Sequence, residues 1–304
     1  MSAFVKKMEN KITKKRLVQF IQYEWVKITA IILVVSFLWC LLFMNIGSKG
    51  SRLTVGQRFY FYYTTDISEA CVTNMKDYLD SENPFSYDIQ SLSVTQFNAV
   101  YGSDQLTGWL SLKNGDAIIC SNYESGSYLK ALVDTYEVYD MQSLYNDAVA
   151  YAEQFRINNT VGFDEDFVSR TKVEQAFEDR LAGDIRFKKK VKKQEGISLE
   201  YERIQKLYRD IADLEKLLTK DIFVEYQSEA NGDTEPKKYA IDLEKLKGAT
   251  GKRDITSFAV IDGESTAKDT VLAIFNFKDA QPDLQFEAIS LINAVIRETT
   301  SLLG

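Results

Sequence analysis

A run of nineteen residues without a charge, 28–46, stands out from the hydrophobic and polar pattern of the chain. About twenty apolar residues are enough to cross a bilayer as a helix, so this run predicts a transmembrane helix. A cleaved signal peptide is the alternative, but its apolar core is usually about 7–15 residues long, and no A-x-A sequence follows the run. Cys40 does not indicate a lipoprotein signal, because Trp39 stands where a small residue is needed. We therefore expect an uncleaved anchor.

The residues in front of this run predict its orientation. Seven lysines and arginines precede it against two acidic residues, and basic residues close to a span stay in the cytoplasm. The pattern thus predicts a cytoplasmic basic tail (1–27), a single transmembrane helix (28–46), a stalk (47–56) and an extracytoplasmic remainder. We expect the protein in the cell membrane, with the lipid bilayer as a partner through 28–46.

Strand and helix patterns alternate after the stalk. The predicted elements are a strand over 58–65, a helix capped by Asp66, a strand over 87–94, a helix over 105–113 and a strand over 116–121. The last strand is continuously apolar, which is typical of a strand covered on both faces. The β-α-β-α-β order predicts parallel strands with right-handed helical crossovers. Residues 57–163 therefore predict an α/β lobe.

A helical segment, 164–220, separates this lobe from the C-terminal strands. Its apolar seam recurs at three- and four-residue spacing at Ile204, Leu207, Ile211, Leu214 and Leu218. We predict a helical hairpin insertion packed on the α/β domain, with a partner-binding coiled coil as the alternative. Residues 221–304 predict a β-hairpin (222–227 with 238–243), strands over 255–261 and 270–277, and a last helix (283–302) docked on the sheet. The fold class is α/β, a three-layer domain with a parallel or mixed sheet.

Histidine is absent from the chain. Its absence excludes nucleophilic catalysis by Ser-His-Asp or Cys-His groups and excludes the usual zinc sites. A Gly-rich phosphate loop, a G-x-S-x-G elbow and a metal-spaced cluster are absent from the sequence as well. We predict a non-enzymatic protein with no catalytic residues, metal or cofactor. A glycosidase with two carboxylates is the alternative, but a pair such as Asp164 and Asp166 sits at a predicted helix start, where capping explains it.

The net charge limits the class of partner, and the cysteine content limits the number of disulfide bonds. The tail has a net charge of +5 and the whole chain a net charge of −7, so the rest of the chain carries about −12. This acidic charge argues against nucleic acid as a partner. Outside the span only Cys71 and Cys120 remain. Two cysteines are too few for a disulfide scaffold, and we expect buried thiols, with one bridge between them as the alternative.

One basic run interrupts the acidic part of the chain. Six of its eight residues are basic: Arg186, Lys188, Lys189, Lys190, Lys192 and Lys193. Coulomb attraction would draw such a run to an anionic membrane face or an acidic wall polymer. A solvated, lysine-rich helix surface is the interpretation that we favour, with the anionic-surface patch as the alternative.

Polar side chains follow the first and third predicted strands. Ligands of open α/β sheets meet the carboxyl ends of the strands, where hydroxyls, amides and a helix N-terminus would hold a small polar ligand and tyrosines would stack on it. Capping and turn chemistry explain the same residues without a ligand. The candidate ligand-binding residues are Tyr62, Thr64, Thr65, Asp66, Ser121, Asn122 and Tyr123.

Three stretches carry a family resemblance: LKNGDAIICSNYESGSYLKALVDTYEVYDMQSL, YAIDLEKL followed by TVLAIFNFKDAQPDLQFEAISLINAVI, and QYEWVKITAIILVV. Over 57–145 and 237–300 the chain resembles extracellular solute-binding proteins of the type 2 periplasmic binding protein class, in the membrane-anchored form of Gram-positive bacteria. The resemblance implies a small sugar- or peptide-like ligand and an ABC transporter partner. The helical segment 164–220 departs from the family, whose second lobe has its own sheet.

Two functions follow as expectations. The first is a membrane-tethered, extracytoplasmic, solute-binding-like domain that binds a small polar ligand or a transporter partner. The second is a structural or interaction protein of the cell envelope, acting through its helical insertion and carrying a degenerate ligand cleft.

Overall fold

The computed structural model describes residues 25, 29–37, 39, 57–64, 69–87, 89–98, 103–112, 115–122, 128–136, 138–181, 189–246, 260–261, 264–265, 268–276, 286–300 and 302–303. The chain divides into two compact units, Met1–Thr54 and Val55–Gly304. Most of the predicted tail, half of the predicted span and the whole predicted stalk lie outside the described residues.

In the first unit, residues 29–37 are helical and all of their side chains are exposed. Ile31, Leu33 and Phe37 each expose more than 60% of their surface. Of the helices formed by described residues, none combines the length and the apolar character needed to cross a membrane.

The second unit is built on a mixed six-stranded sheet. Its strands are β1 (Gln57–Thr64), β2 (Ile89–Phe97), β3 (Ala117–Ser121), β4 (Phe223–Tyr226), β5 (Lys237–Asp242) and β8 (Thr270–Ile274), and the short β6 (Val260–Ile261) and β7 (Glu264–Ser265) pair separately. The order is β2-β1-β3-β8-β5-β4. β1 lies parallel to β2 and β3, which confirms the predicted β-α-β-α-β unit, and the other pairings are antiparallel.

Seven helices of the described chain surround this sheet. They are α1 (Glu69–Glu82), α2 (Ser103–Ser111), α3 (Tyr128–Thr135), α4 (Met141–Glu153), α5 (Arg170–Leu181), α6 (Lys190–Leu218) and α7 (Glu287–Thr299). A 3-10 turn over Glu165–Phe167 precedes α5. The helix predicted to start near residue 198 begins eight residues earlier, in the basic run, and reaches 29 residues.

Two apolar cores lie on opposite faces of the sheet, because successive side chains of a strand point to opposite faces. Phe59 and Phe61 of β1 pack in the core with α1, α4, α6 and α7, whereas Tyr62 packs with α2 and α3. β3 and β8 are buried at every position, which explains their continuous apolar sequence. The layers are therefore helix, sheet and helix. Cys120 is buried in β3, and the side chain of Cys71 lies outside the described residues.

Helix α6 is the central helix of the larger core. It packs against α4, α5 and α7. Leu207 and Leu214 of its apolar seam are 6% and 0% exposed, so the seam belongs to the core of this chain and is not a free surface. The hairpin of β4 and β5 is confirmed, and its polar loop is held by Asp233, which accepts hydrogen bonds from Ser228 N and the Tyr239 hydroxyl.

Candidate functional site

The strand-end residues predicted to bind a ligand do not converge within the described structure. Thr65, Asp66 and Tyr123 lie outside the described residues. Tyr62 is 2% exposed, and its ring stacks on Trp109 with 4.9 Å between the ring centres. Its ring face is therefore covered by the chain itself, and the prediction of a tyrosine platform for a ligand finds no support there.

The side chains of Thr64 and Ser121 lie on opposite faces of the sheet. Thr64 shares a face with Tyr62, toward α2 and α3, whereas Ser121 shares the opposite face with Ile119. Thr64 is fully buried, and its hydroxyl has no hydrogen-bond partner among the residues that the structure describes. Asn122 donates its backbone N–H to Asp269 O at 2.7 Å. These groups form no common open surface among the described residues.

A polar cleft lies instead between α6 and α7. Its cavity volume is about 10 Å³, room for about one water molecule, and it is lined by Arg203, Lys206, Leu207, Asp210, Phe286, Glu287 and Ser290. Arg203, Asp210, Glu287 and Ser290 are buried, and the Lys206 side chain is 24% exposed. Two cations and two anions thus meet at one partly open site.

An ion pair on α6 forms one end of this cleft. Arg203 donates to both carboxylate oxygens of Glu200, from Nη2 at 2.8 Å and from Nε at 3.1 Å. Arg203 Nη2 also donates to the Tyr151 hydroxyl at 2.9 Å, and the Tyr87 hydroxyl donates to Glu200 at 2.8 Å. Arg203 and Glu200 are both buried. A bidentate pair with further partners is the arrangement that offsets the desolvation of two buried charges.

The other end of the cleft joins α6 to α7. Asp210 accepts hydrogen bonds from Lys206 and from the Ser290 hydroxyl, the latter at 2.6 Å. Asn293 Nδ2 donates to the backbone oxygen of Asp210 at 3.0 Å. Glu287, in the first turn of α7, accepts the backbone N–H of Ser86 at 2.9 Å. The cleft is therefore preorganised by contacts between three separate parts of the chain.

A sequence signal for this cleft lies in α6, apart from the strand ends that were predicted to bind a ligand. Glu200, Arg203, Lys206, Asp210 and Asp213 recur at three- and four-residue spacing beside the apolar seam of α6. Such a stripe lies on one face of a helix. The stripe does not reveal that α7 covers it, because Ser290 and Asn293 come about eighty residues later.

A carboxyl group at the start of β3 has an unusual environment. Asp116 Oδ2 accepts the backbone N–H of Tyr60 at 2.7 Å. Burial raises the pKa of Asp116 to about 7, the hydrogen bond from Tyr60 lowers it, and the Glu287 carboxylate raises it further. The half-buried side chain is therefore protonated in part near neutral pH.

No group of three or more Cys, Asp or Glu side chains in the described part of the chain is arranged to hold a metal ion. Asp164 caps the 3-10 turn by accepting the N–H of Asp166 at 3.0 Å, which is the structural role that its sequence position suggests.

No protein-family model matches this chain, and comparisons with curated proteins and with solved structures also give no match.

Proposed function

We propose that this protein is a membrane-tethered, extracytoplasmic binding protein that uses no catalysis. The first unit anchors it, and the α/β unit binds a compact polar ligand in the cleft between α6 and α7. The type 2 periplasmic binding protein resemblance belongs to the same proposal, with an ABC transporter or another envelope protein as the partner.

The exposed apolar helix of the first unit is the observation that carries the proposal. Residues 29–37 expose side chains all around the helix, and an apolar surface on every side is unfavourable in water. The apolar sequence continues to residue 46; seven basic residues precede it within the first 27 positions, against two, Lys49 and Arg52, in the predicted stalk that follows. A bilayer would cover this surface and would retain the basic tail in the cytoplasm.

The chemistry of the cleft supports a zwitterionic ligand. Lys206 would bind a carboxylate and Asp210 an ammonium group, in exchange for their pairing with each other, while Phe286 offers an apolar wall. The cavity volume of about 10 Å³ holds about one water molecule, so a ligand would bind at the open side of the cleft, beside the partly exposed Lys206. The histidine-free composition favours binding over acid–base catalysis.

Membrane extraction tests the tether. We expect the full chain to stay in the membrane pellet after alkaline carbonate and high-salt washes, and external protease to degrade the α/β unit in intact cells from which the wall has been removed. Release of the chain into the supernatant by carbonate would contradict the tether. Full protection of the α/β unit from protease would contradict its extracytoplasmic orientation.

A thermal-shift screen of the detergent-solubilised full chain tests the ligand. We expect one amino acid or short peptide to raise the Tm, because a ligand that binds only the folded state stabilises it. Lys206→Gln should abolish the shift, since it removes the most exposed cation of the cleft. Lys216→Gln is the matched control, because Lys216 lies on the same helix, pairs with Asp213 and is outside the cleft. A shift that both variants retain would place the ligand elsewhere.

A further inference from the structure

The first turn of α6 presents a basic surface to solvent. Lys189, Lys190 and Lys192 are exposed, Lys193 is partly exposed, and Val191 between them exposes 70% of its surface. Arg186 and Lys188 of the same run lie outside the described residues. The described part alone therefore places four cations around one exposed aliphatic side chain, and we call Lys189–Lys193 the basic turn.

The basic turn does not stabilise its own helix. The partial positive charge of a helix dipole lies at the N-terminus, where acidic side chains are favourable and lysines are unfavourable. The first turn of α6 contains no acidic residue, and Lys189 at the N-cap makes no side-chain capping hydrogen bond. The lysines therefore add positive potential at a point where the helix already supplies it.

Neighbouring carboxylates neutralise this potential only in part. Lys192 pairs with Glu195 at 2.7 Å and Lys193 pairs with Glu178, but all four side chains are well exposed. Exposed pairs of this kind are weak and are readily exchanged for other anions. No ion pair of Lys189 or Lys190 with a described residue is present in the structure.

We propose that the basic turn binds an anionic lipid surface. Several lysines close to a membrane attract acidic headgroups, and an apolar side chain among them enters the headgroup region. The part of the chain that follows the tail is acidic overall, so an anionic surface repels most of it and attracts this turn. The described lysines have no aromatic neighbour in the turn for base stacking, which disfavours single-stranded nucleic acid.

This inference goes beyond the proposed tether, since it concerns a second contact, made by the α/β unit. A tether that holds a weak electrostatic surface close to the bilayer raises its effective concentration there, so few contacts suffice. The contact would orient the α/β unit on the membrane.

The test uses the full chain in lipid nanodiscs, with an environment-sensitive fluorescent amino acid in place of Val191. We expect its emission to shift to shorter wavelength in discs that contain phosphatidylglycerol and to remain unshifted in pure phosphatidylcholine discs. High salt should reverse the shift, because exposed charges are screened. The variant with Lys189, Lys190, Lys192 and Lys193 all changed to Gln should lose it.

A variant with the same loss of charge elsewhere is the matched control. Changing the well-exposed Lys76, Lys216, Lys220 and Lys245 to Gln should leave the shift intact. Equal shifts in both lipids, no shift in either, or a shift that survives loss of the basic turn would each overturn the proposal. Tight binding of the basic turn to a soluble polyanion, without any lipid-dependent shift, would also overturn the proposal. That result would indicate that the basic turn binds an acidic polymer.

The nanodisc experiment distinguishes a failure of the tether proposal from a failure of the basic-turn proposal. A chain that copurifies with the discs but shows no shift retains the tether and loses the basic-turn proposal. A chain that does not enter the discs contradicts the tether, and its sedimentation with added phosphatidylglycerol vesicles, compared with phosphatidylcholine vesicles, then tests the basic turn directly.

Discussion

Replacing Asp116 by asparagine tests the environment of the carboxyl group at the start of β3. The substitution removes the charge and keeps an oxygen that accepts the N–H of Tyr60, which lies 2.7 Å from Oδ2 in the structure. The size of the side chain is almost unchanged. Any effect on stability that depends on pH therefore comes from ionisation of Asp116.

The magnitude follows from the pKa. The pKa of Asp116 rises from its usual 3.8 to about 7, chiefly because of burial. Below pH 4 the folded and the unfolded chain both hold the proton, and ionisation has no effect on stability. Between pH 4 and 7 the unfolded chain releases its proton first, so this group lowers the free energy of unfolding by about 1.4 kcal/mol per pH unit. The loss is complete above pH 7, at a ceiling of about 4 kcal/mol.

Thermal unfolding of the detergent-solubilised full chain at pH 4.5 and pH 8 measures the effect. A domain of this size gains about 2–4 °C in Tm per kcal/mol, so Asp116→Asn should raise the Tm at pH 8 by roughly 5–10 °C more than at pH 4.5. Asp221→Asn is the control, because Lys245 lowers the pKa of that exposed carboxyl and removing its charge should give no gain at pH 8. An equal gain for Asp116→Asn at both pH values, or a loss at pH 8, would refute the reasoning.

Two further predictions concern packing and buried charge, each measured as a change in Tm. Gly115→Ala should destabilise the protein by about 1–3 kcal/mol, because the new Cβ would lie 2.5 Å from Leu110 Cδ2. Gly108→Ala should stabilise the protein by about 0.5–1 kcal/mol, because Gly108 lies within α2 and its new Cβ would meet open space. Arg203→Met should cost about 3–5 kcal/mol, because it leaves the buried Glu200 carboxylate without its cation. The double variant Glu200→Gln, Arg203→Met should recover much of that loss, and a double variant as unstable as Arg203→Met would contradict this explanation.

Local sequence patterns predicted the identity of most elements. The aromatic run of β1, the alternation of β2 and the apolar β3 each predicted a strand, and their order predicted parallel pairing, which the register of β1 with β2 and β3 confirms. The hairpin of β4 and β5 followed from two strand patterns around a polar loop. These predictions succeeded because the period of the side chains and the turn residues act over a few positions.

Boundaries and pairings were harder to predict. The apolar pattern predicts a start of α6 near residue 198, whereas the helix begins at Lys190, because lysines and a missing N-cap give no helix-start signal over its first two turns. The insertion of β8 between β3 and β5 was also not predicted. Strand patterns specify which face is apolar, but they do not specify which neighbour a strand takes.

The candidate site depended even more on tertiary structure. The sequence suggested Tyr62 as a platform, and the fold instead places Trp109 against its ring. The charged stripe of α6 was present in the sequence, but its meaning depended on contacts such as that of Glu287 with the N–H of Ser86, which are 201 residues apart.

The sequence by itself therefore determined the apolar run, the acidic character of the rest, the absence of histidine and the alternation of strands and helices. Only the tertiary structure decided which polar groups meet, because a hydrogen bond or an ion pair acts over about 3–4 Å and requires the folded backbone to bring distant residues that close.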